Sequence, residues 1–201
     1  MGEFVTPVEL TGQRWVRLEP LTHEHIPEID DAAADGELGS LWYTMTPRPG
    51  AAAEWVRRML ELRAADHGVS FVVRDLAGRL VGSTSYLHVD GANRRLEIGH
   101  TWYVADVRGT GVNAETKLLM LSHAFDELDC VAVEFRTHFF NFASRSAIER
   151  LGAKLDGVLR SHQIAPDGSR RDTVVYSILD IEWPAARSNL EFRLDRRGGI
   201  N

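Results

Sequence analysis

Cysteine is almost absent from this 201-residue chain: Cys130 stands alone, in an apolar stretch. A disulfide framework and a multi-cysteine zinc site are therefore excluded, and a reducing cytoplasm is the expected compartment. His23 and His25 sit two residues apart, whereas a metal pair on one helix face needs a spacing of four, so no metal is expected. No run of 18 or more apolar residues occurs, so no membrane span is expected. The opening MGEFVTPVEL lacks a basic stretch followed by an apolar one, and no secretory signal is expected. A basic excess is missing as well. The formal charge is −6 and no basic run occurs, which argues against direct nucleic-acid binding. Among the 23 basic residues only Lys117 and Lys154 are lysine.

What remains is an ordinary globular composition, 44% apolar and 26% charged. The length suits one domain over 1–201 with its core in about 10–181, large enough to need no covalent staple. Arg14–Pro20 alternates like a half-exposed strand. His23–Asp35 reads as a helix with Thr22 as cap and Pro27 in its first turn, and Ala51–Ala65 as a second with Trp55, Met59 and Leu62 on one face. Val69–Arg74, Leu80–Leu87 and Arg95–Val104 read as an antiparallel meander. A helix to about Leu128, a strand Cys130–His138 and a helix from Asn141 to near Leu151, stopped by Gly152, follow. Lys154–Ile164 and Asp172–Leu179 form an expected hairpin, and Glu182–Arg197 a terminal helix. The order β-α-α-β-β-β-α-β-α-β-β-α predicts a mixed α/β domain.

The segment Tyr103–Asn113, YVADVRGTGVN, carries the chemistry. A strand runs into Arg-Gly-Thr-Gly and opens a helix. Gly109 and Gly111 let the backbone approach a ligand, the helix start presents unpaired N–H groups, and Arg108 adds positive charge, which together suit a pyrophosphate. No Gly-Lys-Ser/Thr closes the loop and Gly111 is followed by Val-Asn-Ala, so neither a P-loop nor a dinucleotide fingerprint fits. A plain strand-to-helix turn capped by Asn113 would use the same residues.

The order of elements, the R-G-T-G turn, and Asn141-x-x-Ser144-x-x-x-Ile148-x-x-Leu151-Gly152 resemble the GNAT superfamily of N-acetyltransferases. Together with Arg171-Asp-Thr-Val-Val-Tyr-Ser-Ile-Leu179 and Glu182-Trp-Pro, they are similar to the RimJ/RimL branch, which includes enzymes acetylating ribosomal-protein N-termini. The resemblance spans about residues 10–195. It implies a mostly antiparallel sheet of about seven strands flanked by helices, with the fourth and fifth strands splayed around acetyl-CoA. By that resemblance the pantetheine arm pairs with Trp102, Tyr103 and Val104, the pyrophosphate meets Arg108, Gly109, Thr110, Gly111, Val112 and Asn113, and Asn141 and Arg145 flank the cofactor.

Acetyl transfer to an amine needs a proton acceptor, donors for the carbonyl oxygen and a proton for the departing thiolate. Glu97 and His100 are the candidate bases, and strand alternation predicts that they face opposite ways. The backbone N–H of Tyr103 or Val104 is a candidate oxyanion donor. Many superfamily members use a Tyr in the second-motif helix as acid; Ile148 stands there in this chain, so Ser144 becomes the candidate. An inactive acyl-CoA-binding sensory or scaffolding module is the alternative.

The negative charge concentrates in residues 22–40, where Glu24, Glu28, Asp30, Asp31, Asp35 and Glu37 meet no Lys or Arg. The resemblance places the acceptor wall there. The acceptor is thus expected to be a cationic amine, such as a peptide N-terminus, touched by Asp30, Asp31, Trp42 and Tyr43, with Met45 nearby and Tyr176 orienting it. Residues 136–150 have the opposite balance, with Arg136, Arg145 and Arg150 against Glu149. The terminal hairpin and helix suggest a homodimer.

Overall fold

A computed structural model describes residues 4–34, 44, 46–65, 67–165 and 168–198. Its centre is one eight-stranded sheet: β1 (Leu10–Thr11), β2 (Val16–Pro20), β3 (Gly68–Asp75), β4 (Leu80–Asp90), β5 (Arg95–Tyr103), β6 (Ala132–His138), β7 (Lys154–Ile164) and β8 (Arg170–Leu179), in the order β1-β2-β3-β4-β5-β6-β8-β7. Every neighbouring pair is antiparallel except β5–β6. The short β1 is one strand more than the sequence pattern gave.

The helices are α1 (Ile26–Ala33), α2 (Ala52–Ala64), α3 (Val112–Ser122), α4 (Phe142–Glu149) and α5 (Trp183–Gly198). The stretch expected as one helix from His23 begins as a 3-10 turn, His23–His25, because Thr22 N–H donates to His25 Nδ1 at 3.0 Å and tightens the entry. The helix expected to Leu128 widens into a π-helical turn at His123–Glu127.

Side-chain parity assigns the helices to two faces. Trp102 of β5 meets Trp55 of α2 edge-on, with ring centroids 6.2 Å apart. Thr84, Tyr86 and Thr101 reach α3 through Met120 and Lys117. Trp55, Val56 and Met59 bury one side of α2, and Trp183, Ala186, Leu190 and Leu194 one side of α5. β3 and β4 lie inside both layers, which is why they read as nearly unbroken apolar or small-residue runs.

The start of α3 is fixed by a bond set no local pattern announces. Buried Glu115 accepts four backbone N–H groups, from Gln13 and Arg14 at 3.0 Å, Trp15 at 2.6 Å and Val16 at 2.9 Å. Gly12 makes room, since a Cβ there would lie 2.4 Å from the carboxylate. The β1–β2 turn is thereby tied to the helix that follows the glycine loop. Glu115→Ala would strand these donors and is expected to cost at least about 3 kcal/mol. Urea unfolding would read this as a lower midpoint at constant slope.

Candidate functional site

The pairing of β5 with β6 is brief. Arg95, Leu96 and Glu97 pair with Ala132, Val133 and Glu134, and there the ladder stops. From Ile98 to Tyr103 the edge of β5 that turns toward β6 is open, and a cleft of about 570 Å³ fills the gap. Its described lining runs from Arg108, Gly109 and Asn113, where β5 passes into α3, along Ile98–Tyr103 and Lys117. It continues to Phe135–His138, the first turns of α4, and Thr44, Thr46 and Arg171.

β5 is itself irregular at this point. Ser85 pairs with Gly99 and Ser83 with Trp102, so two residues of β5, His100 and Thr101, oppose Thr84 alone. This is a β-bulge, and His100 adopts φ +47, a left-handed conformation that costs a non-glycine residue about 1 kcal/mol or more. The extra residue corrects the alternation expected from sequence. His100 turns to the α2 face, with Nδ1 3.3 Å from Met59 Sδ, and Glu97, paired beside Leu87, lies on that same face. Burial pushes the His100 pKa down from 6.5, so its imidazole is neutral at neutral pH, although the Glu97 charge opposes the shift.

Glu97 is not part of the cleft lining. Its carboxylate is engaged by His88 Nδ1 at 2.7 Å and Arg136 Nε at 3.5 Å. The contact raises the His88 pKa. Glu134 is held by Arg95 and by Arg136 at 2.8 Å, so an ion network closes the point where the strands part.

The glycine loop divides the expected roles. Gly109 has φ +78 with open space on its Cβ side, as an approaching ligand requires. Gly111 is different: its φ is −75, and a Cβ would lie 2.4 Å from the Trp15 ring, so packing accounts for this glycine. Thr110 donates its hydroxyl to Val107 O at 2.5 Å, and Val112 is buried at the start of α3. Arg108 lines the cleft and donates Nε–H to Tyr103 O at 3.2 Å. Val104 N–H is spent on Val81 O at 3.0 Å, which removes it as an oxyanion donor. By strand alternation the Tyr103 N–H turns to the open side.

On the other wall, Asn141 caps α4 by accepting Ser144 N–H at 3.1 Å, and both residues line the cleft. Arg145 does not line it. Its guanidinium lies 5.1 Å from the Phe139 ring centre and 5.4 Å from that of Phe142, and donates to Tyr176 Oη at 3.2 Å. Tyr176 is buried and donates to Glu149 at 2.9 Å, so it belongs to the β8–α4 packing and not to an acceptor site.

The acidic segment is also used elsewhere. Asp30 accepts Gly50 N–H and Ala52 N–H, each at 3.1 Å, and so fixes the start of α2. Glu28 is held by Arg74 at 2.6 Å. Asp31 lines a separate cavity with Glu28, Arg79 and Asp106. Asp35, Glu37, Trp42, Tyr43 and Met45 lie outside the described residues. Among the described residues no cluster of three or more His, Cys, Asp or Glu could hold a metal, and no helix is long and apolar enough to cross a membrane.

Comparison with known proteins agrees with this architecture. The acetyltransferase (GNAT) domain profile matches residues 16–154. YdaF of Bacillus subtilis (strain 168), which carries the name of a ribosomal N-acetyltransferase, is 29% identical over 174 residues, 83% of this chain and 90% of its own. A GCN5-related N-acetyltransferase from Brucella melitensis matches with a TM-score of 0.84 at 30% identity, over 94% of this chain and 86% of that one. Mycobacterium smegmatis RimJ, solved with CoA-disulfide, shares the fold at a TM-score of 0.77 and 21% identity, over 93% and 95% of the two chains.

Sequence reasoning gave Lys117 no role, yet it lines the cleft from beneath β5. Its Nζ donates to Thr101 Oγ1 at 2.7 Å and Thr84 Oγ1 at 3.1 Å, and burial lowers its pKa from 10.5 to about 7. Between those values the unfolded chain holds the proton and the folded chain does not. Stability therefore rises with pH from about 7 to 10.5, and this group's penalty is complete below 7. Lys117→Met is expected to flatten that rise when urea midpoints are compared across the window. A slope that survives the substitution would assign it to another group.

Proposed function

Because the chain belongs to the GNAT acetyltransferase family, we propose that it moves an acetyl group from acetyl-CoA to a primary amine. The amine is that of a peptide or protein N-terminus or a small molecule, and it attacks directly in a ternary complex. The observation that carries this reading is the open edge of β5 at Ile98–Tyr103, running straight into Arg108, Gly109 and the start of α3. An unpaired strand edge offers N–H and C=O groups to the amides of a pantetheine arm, and a helix start beside an arginine suits a pyrophosphate. The names of the relatives support acetyl transfer to ribosomal protein.

Acetyl-CoA would supply an activated thioester; the rest is done by side chains and backbone. His100, neutral through burial and facing the cleft, accepts the proton of the incoming ammonium. Tyr103 N–H, fixed in the strand, donates to the oxygen that gains charge. Ser144, at the third residue of α4, gives its hydroxyl proton to the departing sulfur and takes one in turn from the nitrogen that becomes the amide, in the place where Ile148 offers none. Glu97, held by His88 and Arg136, is a positioning residue whose charge acts on His100 from behind.

The test is acetyl-CoA with a panel of peptides and small amines, read by thiol release. Turnover on an amine is expected. CoA binding without turnover on any amine would favour an inactive binding module, and no CoA binding would overturn both readings. Arg108→Glu is expected to weaken CoA binding by 10-fold or more, about the worth of one charge-assisted bond. The kcat/KM profile is expected to fall on the acid side with a midpoint below 6.5, because His100 must be unprotonated. His100→Gln is expected to remove that limb and lower kcat by about 10²- to 10⁴-fold.

A further inference from the structure

The described lining of the cleft contains no aspartate or glutamate, yet it includes Arg108, Lys117, Arg136, Arg150 and Arg171. The phosphates of CoA would explain Arg108 at the β5–α3 turn. They do not explain Arg171. The β6–β8 register pairs His138 with Thr173 and Arg136 with Val175, so Arg171 continues the row of β8 that faces with Arg136 and His138. This is the α2 face, where His100 sits. The Arg171 charge is felt by His100, His138 and Glu97.

Arg136 spends its charge on Glu134 and Glu97. Arg171 does not: among the described residues its guanidinium makes no ion pair or side-chain hydrogen bond, and its Nε is shielded from solvent with no partner. Glu97, the carboxylate whose charge acts on it, is already taken by His88 and Arg136. A half-buried cation without a counter-charge is costly, and an anion arriving with a ligand relieves that cost.

We propose that the acceptor carries a carboxylate close to its reactive amine, and that Arg171 receives it. The proposal rests on the acetyl-transfer reading and refines its acceptor. Arg171 takes no part in bond making. The ammonium gives one proton to His100, its nitrogen forms the amide bond, the carbon–sulfur bond breaks, a second nitrogen proton reaches the sulfur by way of Ser144 so that CoA leaves as its thiol, and the carboxylate is unchanged. Two acceptors share this chemistry: a free amino acid, through its α-carboxylate, and a peptide with an acidic residue next to its N-terminal one.

Matched pairs separate them, an amino acid against its amide and a peptide with Asp second against one with Asn second. KM and kcat are measured for each acceptor, and KM for acetyl-CoA, in the wild type, Arg171→Gln and Arg171→Lys. The wild type is expected to prefer the carboxylate member of one pair by about 10- to 100-fold in kcat/KM, mostly through KM. The pair that shows the preference identifies the source. Arg171→Gln is expected to collapse the preference, and Arg171→Lys to restore part of it, since lysine keeps the charge without the planar fork. Retained KM for acetyl-CoA would show that the variants fold. Equal treatment of both members of both pairs by the wild type would overturn the proposal. So would an effect of Arg171→Gln on the KM of acetyl-CoA in place of the acceptor's. Turnover on other amines but on none of these four would overturn this inference alone, whereas turnover on no amine would overturn the acetyl-transfer reading and this inference with it.

Discussion

The arrangement depends on one interruption: the ladder between β5 and β6 ends at Glu97 and Glu134. Buried backbone donors and acceptors are rarely left without partners, and an open edge inside a sheet needs a structural cause. Two causes are visible. Arg95, Arg136, Glu97 and Glu134 close the last paired rungs with ion pairs, which pins the strands together on one side of the gap. Beyond them the bulge at His100–Thr101 bends β5, while β6 is kept on its own course by an unbroken register with β8. The gap is then lined from α3 below and the first turns of α4 beside it.

That geometry explains why residues far from the cleft matter to it. α3 presents its first turn correctly only because Glu115 holds the β1–β2 turn and the Trp15 ring lies against Gly111. His100 keeps its left-handed backbone only because the register on both sides of the bulge is fixed, by Gly99 against Ser85 and Trp102 against Ser83. A strained residue persists where its surroundings over-determine it. Here the strain turns an imidazole to the α2 face, where it lines the cleft.

Much of the fold was legible because helices and strands advertise their period. Trp55 and Met59 on α2, the alternation of β6 and the Asn141–Gly152 limits of α4 all stand as read. The site was legible in its backbone more than in its side chains. The strand–glycine–helix sequence marks Arg108 and Gly109, since those residues serve a local turn. The misread residues share a different cause. Glu97 and His100 were expected on opposite faces because period-two reasoning contains no bulge, and nothing in Gly99-His100-Thr101 marks one. Gly111, Arg145, Tyr176 and Asp30 were given to ligands when their partners are Trp15, Tyr176, Glu149 and the start of α2. Each of those partners is distant in sequence, and spacing is silent about distant partners. Lys117 was missed for the same reason, its partners Thr84 and Thr101 lying 33 and 16 residues away.

The scarcity of lysine and the net negative charge meet in the cleft. A net charge of −6 suggested an acidic wall drawing in a cationic amine, but a sum over a surface does not say where a ligand looks. Asp30 and Glu28 are consumed in holding α2 and Arg74, whereas every Asp, Glu, Lys or Arg in the described cleft lining is a base. Its one described amine side chain, Lys117, is buried deeply enough to shed its proton near pH 7, which lightens the positive field under β5. The arginines cannot shed theirs. A permanent positive charge therefore remains beside the gap at Arg171. It disfavours protonation of His100 and favours the free-base form of an amine brought beside it, both of which acetyl transfer requires. An acceptor bearing only positive charge would be repelled by that field. One that carries a carboxylate beside its amine would satisfy Arg171 while its nitrogen loses a proton, so one electrostatic arrangement serves recognition and nucleophile activation together.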